Sequence, residues 1–304
     1  VFSIETTQYN HGIGALAALG SAFCWALAAI LFRRVGSNVT ATGLNLSKGL
    51  VAFICLGALL LTSGFITPNY HSFITLALSG IIGICLGDTL YFITLVRLGP
   101  RLTLLVGSLI PVIAGLISLL LLNESINATA TIGIALTLLG VAYVLWEKAP
   151  DNNKVIQWRS GVLLGMLFVC TEALGIVLTK IGVQNLPGME ATFIRQTVAI
   201  VGLTFWGLAA GSLLGWLKPL KKGRTRNKVI VASIIGAFLG TWLSVLALKY
   251  TYTSVAAALN ATSPLFILPM AALLMREKIS RRAVAGTSVA VIGIAEYFLT
   301  LPLA

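Results

Sequence analysis

The chain has 304 residues, of which 58% are hydrophobic and 10% charged, and its formal net charge is +12. Its apolar residues fall in blocks about as long as a bilayer-spanning helix, roughly 20 residues. Blocks such as GIGALAALGSAFCWALAAIL have no polar face, which excludes a soluble domain. The basic residues lie mostly in short loops between the blocks, a mark of membrane topology and not of nucleic-acid binding.

Breaks at charges and at Gly, Pro and Asn clusters predict ten transmembrane helices, at about 13–33, 42–62, 73–96, 102–122, 128–146, 159–181, 189–216, 229–249, 253–275 and 282–301. The first lacks a basic leader and a similar block recurs at 159–182, so it reads as a retained helix and not a secretory signal. It carries Trp25 among the small residues Ala18, Ser21, Ala22, Ala28 and Ala29. The second holds Lys48 one to two turns in, where the long stem could snorkel to the interface or the ammonium could hold an anionic group.

The third contains Asp88 in a stretch, SGIIGICLGDTLYFITLV, with no other charge. Gly80, Gly83, Gly87 and Tyr91 share one helical face there, with Asp88 at its edge. An ionised carboxylate at membrane depth costs roughly 2.5 kcal/mol or more, so it persists where it pairs, is protonated or faces a polar cavity. Asp88 could therefore bind substrate or a coupling proton, or simply hydrogen-bond a neighbouring helix with Thr89 nearby. Pro111 in the fourth span, and Pro264 and Pro269 in the ninth, each remove a backbone donor and predict a kink. The sixth places Glu172 on a face with Gly165, Gly175 and Thr179, the second candidate for proton coupling. The seventh starts near Glu190, read as interfacial like Glu296, and carries Arg195 at the place equivalent to Lys48, where it too could snorkel or hold an anionic group; the eighth carries Trp242. Trp25, Tyr91 and Trp242 lie away from loop boundaries and could line a substrate site or fill core, whereas Trp146, Trp158 and Trp216 suit an interfacial belt.

An offset of 153 pairs Gly83 with Gly236, Gly87 with Gly240 and Pro111 with Pro264. It runs on without a gap to pair Glu124 with Glu277, Gly133 with Gly286 and Gly140 with Gly293. Earlier positions align at 146 to 147, pairing Cys24 with Cys170, Arg34 with Lys180 and Lys48 with Arg195. The chain thus reads as two copies of a five-helix unit, residues 1–148 and 159–304, joined by a linker at 149–158. Five is odd, so the second copy starts from the other side of the membrane and the copies are inverted. Asp88 aligns with Thr241 and Glu172 with Ala26, so neither acid is repeated.

The motif Pro111, Glu124, Gly133, Gly140 and its repeat Pro264, Glu277, Gly286, Gly293 resembles the drug/metabolite transporter superfamily, in its EamA-type ten-helix members, over essentially the whole chain. The resemblance implies a central cavity between the halves, lined by the first four helices of each, and export of small metabolites, amino acids or drugs. A secondary transporter working by alternating access is the leading function. Proton coupling, exchange and facilitated diffusion all fit. An integral membrane enzyme or a channel is the alternative. There is no Walker A, HExxH or GxSxG motif, and His11 and His71 lie outside the spans. Cys24, Cys55, Cys85 and Cys170 form no CxxC pair or Cys/His cluster, so no metal, cofactor or disulfide framework is expected.

Of the 21 Lys and Arg, 17 lie in the loops joining helices 1–2, 3–4, 5–6, 7–8 and 9–10, with KPLKKGRTRNK the densest run. The positive-inside rule puts these loops in the cytoplasm and both termini outside the inner (plasma) membrane. Eukaryotic relatives of the resembled family are assigned the reverse orientation, and the charges of this chain weigh against it.

Overall fold

The computed structural model describes residues 11–36, 39–122, 128–147, 155–183, 186–250, 259–276 and 279–299, and among them there are helices and turns but no strand. Glu124, Glu277 and residues 149–154 of the linker lie outside that set. The helical elements are α1 (His11–Val35), α2 (Ala41–Ser63), α3 (Tyr70–Leu98), α4 (Pro100–Gly107 and Ile110–Leu122) and α5 (Ala128–Glu147). The second half supplies α6 (Val155–Gly182), α7 (Gly188–Ala209), α8 (residues 223–250), α9 (Ser263–Met275) and α10 (Arg281–Leu299). Seven of them, α1 to α4 and α6 to α8, are long and apolar enough to cross a bilayer, while α5 and α9 carry shorter apolar helices, Ala135–Val144 and Ser263–Met275.

The distribution of side chains is that of a membrane protein. Leu61 is 89% exposed and Leu273 81%, while the face of α1 carrying Ala18, Ala22, Ala26 and Ala29 is fully buried. Lipid tails are as apolar as leucine, so helices associate by close packing, and small residues allow the closest approach.

One expectation about a helix end is corrected. The seventh span was drawn to residue 216, but α7 stops at Ala209 because Gly211 turns the chain at φ +60°. There Ser212 N–H donates to Gly207 at 2.8 Å and Gly211 N–H to Leu208 at 3.0 Å, a Schellman stop. The short helix Leu213–Leu217 that follows buries Trp216 against Gly207 and edge-on to Trp206, ring centroids 6.1 Å apart. Glu190 is buried in the first turn of α7.

Two of the three prolines stand at interruptions and not inside continuous helices. α4 is interrupted at Ser108 and Leu109, and Pro111 stands in the first turn of its second segment; α9 begins at Ser263 after a turn at 261–262, with Pro264 in its first turn. Proline lacks the N–H that a continuous helix would use and clashes with the carbonyl four residues back, whereas a first turn needs no such donor. Pro269 alone lies inside a helix. The interruptions at 108–109 and 261–262 are 153 residues apart, so the repeat extends to backbone conformation.

The direction of the copies follows from helix contacts. In α2 and α7, which are equivalent under the repeat, Gly43 meets Trp216 just beyond α7, Gly49 meets Gln196 and Ile200, and Gly57 meets Phe193. In α5 and α10, Gly133 meets Gly293 and Gly140 meets Gly286 and Ala290. Both pairs run antiparallel, so the copies are inverted. Contacts 49/196 and 137/290 map onto themselves under the offsets of 147 and 153, which places the pseudo-twofold axis beside Gly49 and Thr137. The halves interdigitate: α1 packs on α8 and α9, and α6 on α3 and α4.

Candidate functional site

The site is built on α3. Residues Gly80–Asp88 form a π-helical stretch, and the equivalent helix α8 carries one at Ile234–Gly240. Such stretches bond i to i+5 and redirect backbone carbonyls, and they concentrate at functional sites. Asn45 of α2 uses the redirected groups, donating from Nδ2 to the Ile84 carbonyl at 2.8 Å, to Cys85 at 3.3 Å and to Thr89 Oγ1 at 3.0 Å. Thr89 Oγ1 in turn donates to Cys85 at 2.6 Å.

The glycine face receives α6 and α7. A methyl group at Gly80 would lie 2.5 Å from the Arg195 carbonyl oxygen, and one at Gly175 would lie 2.8 Å from Gly83 Cα, so backbones touch where side chains are missing. A methyl at Gly83 would sit 3.4 Å from Arg195 Nη2 and 3.8 Å from Glu172 Oε2; one at Gly87 would sit 3.1 Å from Glu172 Oε1. Glu172 and Arg195 thus occupy the notch those glycines leave. At its edge the Lys48 ammonium donates to the Asp88 carboxylate and stands 5.8 Å above the Phe92 ring. Glu172 lies within electrostatic reach of Asp88, Arg195 and Lys48. Two cations and two carboxylates, one of each from either copy, therefore form a cluster of zero formal charge.

Lys48 does not snorkel, since its ammonium is held by Asp88 and its side chain retains only 15% exposure; that of Asp88 retains 17%. Tyr91 joins the rim, within reach of the Asp88 charge and with its ring 5.1 Å from Phe92 and 5.4 Å from Phe168. Trp25 is on the other side of the axis, its indole against Gly240 as Glu172 is against Gly87. Gly236 likewise meets Ala28 as Gly83 meets Gly175. Packing therefore pairs Glu172 with Trp25, one residue from the ungapped register that pairs it with Ala26. Trp242 is 47% exposed and no described contact brings it to the cluster. Sequence reasoning missed Asn45 and Gln196, although polar amides at membrane depth beside Lys48 and Arg195 are a readable signal. Buried Asn45 Oδ1, Arg195 Nε and Gln196 Nε2 have no hydrogen-bond partner among the described residues, an unusual concentration of unmet capacity. No group of three or more His, Cys, Asp or Glu with metal-holding geometry occurs among the described residues.

The sequence profile of the EamA-like transporter family matches residues 12–146 and again residues 159–299. This chain belongs to the EamA-like transporter family, and it is a transporter in a membrane rather than an enzyme. It is 25% identical over 284 residues to an uncharacterized transporter of Archaeoglobus fulgidus, covering 92% of this chain and 95% of that one. It is 24% identical over 204 residues to the uncharacterized inner membrane transporter YhbE of Escherichia coli, covering 64% and 63%. Protein LicB of Haemophilus influenzae is 28% identical over 200 residues, covering 62% and 65%. A solved crystal structure shares the fold at a TM-score of 0.64 and 16% identity, over 95% of this chain and 97% of its own.

Proposed function

We propose that the chain is a secondary transporter in which the two inverted copies rock about the ionic cluster, exporting a small charged metabolite, amino acid or drug from the inner membrane. The single observation that carries this is the neutral cluster of Lys48, Asp88, Glu172 and Arg195 where the copies meet. A substrate charge, or a proton, can replace one partner of the Lys48–Asp88 pair without leaving the other bare, which is the differential interaction an alternating-access cycle needs. Asp88 is the residue assigned to coupling, with Glu172 sharing the charge and Tyr91, Trp25, Lys48 and Arg195 lining the path. The unpartnered Arg195 Nε, Gln196 Nε2 and Asn45 Oδ1 support a polar cargo.

Substrates are sought by thermal shift over amino acids, amines and small drugs, and hits are tested by uptake and counterflow in liposomes. Asp88→Asn keeps size and hydrogen bonding but removes the titrating charge. Loss of concentrative uptake with retained counterflow is expected for coupling at Asp88; loss of both assigns it to substrate binding. Wild-type rates with unchanged pH dependence would reduce Asp88 to a packing residue, and flux without saturation or counterflow would make the protein a channel.

A further inference from the structure

Away from the ionic cluster, a crevice of about 310 Å³ opens between the end of α1 and the start of α8, lined by Arg34, Val35, Arg224, Thr225 and Lys228. Three of its five lining residues are cations and none is an acid. Arg34 is fixed in place by donation from Nη2 to the Leu274 carbonyl at 2.6 Å, in the last turn of α9. Arg224 and Lys228 lie four residues apart in the first turns of α8 and so present one face, and Thr225 also lines the crevice. The N-cap Lys222 makes no side-chain cap, which leaves the positive end of the helix to act on whatever sits there. Three like charges around one cavity repel one another, and an anion relieves that repulsion.

We propose that this crevice is a phosphate-binding site, filled by the headgroup of an anionic lipid or by a soluble phosphoester. Its chemistry matches the basic pockets between membrane helices that hold lipid phosphates. Helix N-termini are ready anion sites, and guanidinium groups bind phosphate through paired donors.

The test uses the full chain in nanodiscs of phosphatidylcholine with a minority of phosphatidylglycerol, and native mass spectrometry to read which lipid stays bound. Glycerol 3-phosphate serves as the soluble competitor. The double variant Arg224→Gln/Lys228→Gln removes two exposed cations of the crevice, and Lys221→Gln/Lys222→Gln removes two exposed cations outside it. Wild-type protein is expected to retain phosphatidylglycerol over phosphatidylcholine, with the crevice variant weakened roughly tenfold or more and the control by less than about twofold. Persistence of the lipid against glycerol 3-phosphate assigns the site to lipid, whereas its displacement assigns it to soluble phosphoesters. Equal losses in the two variants, no loss in the crevice variant, or retention of neither probe by the wild type would overturn the proposal. Unchanged thermal unfolding of both variants shows that the fold is intact.

Discussion

The Lys48–Asp88 pair turns a costly charge at membrane depth into part of a neutral site. Breaking a buried ion pair by removing one partner typically costs 3–5 kcal/mol, because the other charge stays behind unpaired. With side chains 15% and 17% exposed, the loss for Lys48→Met should be nearer about 2 kcal/mol. Lys48→Met combined with Asp88→Leu should recover most of it, since both charges are then gone. Thermal unfolding of the detergent-solubilised variants measures this; a double variant as unstable as the sum of the singles would show that the two residues do not depend on each other. Asp88 was legible from its depth alone. Its partner was not, because Lys48 is 40 residues away on another helix and its long stem fits an interfacial role equally well.

Among the elements, α3 does the most to shape the site. Its glycines let α6 and α7 approach to backbone contact, and its π-helical stretch turns carbonyls toward Asn45. Gly80→Ala drives a methyl to within 2.5 Å of the Arg195 carbonyl oxygen, a backbone atom that cannot step aside, and it should destabilise by about 1–3 kcal/mol and weaken any transport assigned to Arg195. Gly57→Ala meets only the Phe193 ring, at 3.4 Å, so a gain in helix propensity of up to about 1 kcal/mol is expected to offset any crowding. Unfolding midpoints of the two variants compared with wild type decide the matter; equal behaviour would mean that glycine spacing on α3 is incidental. The glycine face was readable from periodicity. The π-helical turn was not, because one extra residue per turn carries no composition signal that distinguishes it from an α-helix with the same glycines.

For the whole molecule, inversion brings unlike surfaces of the two copies to equivalent places. On one side of the axis α3 and α6 enclose acids; on the other, α8 and α1 enclose Trp25 against Gly240. Basic groups collect at one end, where Arg34 reaches Leu274, Arg97 reaches Ser160 at 2.7 Å, and Arg34 shares a crevice with Arg224 and Lys228. The positive-inside rule assigns that end to the cytoplasm. Gly223 has open space around it, so a cysteine there is harmless and accessible. In intact cells Gly223→Cys should resist a membrane-impermeant thiol reagent and react once the membrane is permeabilised. Labelling of intact cells, over the background of the native cysteines, would reverse the orientation.

The sequence by itself determined that the chain is a helical membrane protein, where most of its helices lie and that it is duplicated, and an odd number of helices per copy predicted that the second is inverted. Each of these rests on local hydropathy or on a linear alignment, and neither needs a fold. Only the tertiary structure decided that Lys48 meets Asp88, that Glu172 and Arg195 fill a notch cut by glycines 80 to 87, that Glu172 stands opposite Trp25, and that Trp242 stands apart. Those are contacts between helices far apart in the chain. They depend on rotation and register at backbone-to-backbone crossings, where one residue of slip turns a side chain by about 100° and sends it to another neighbour.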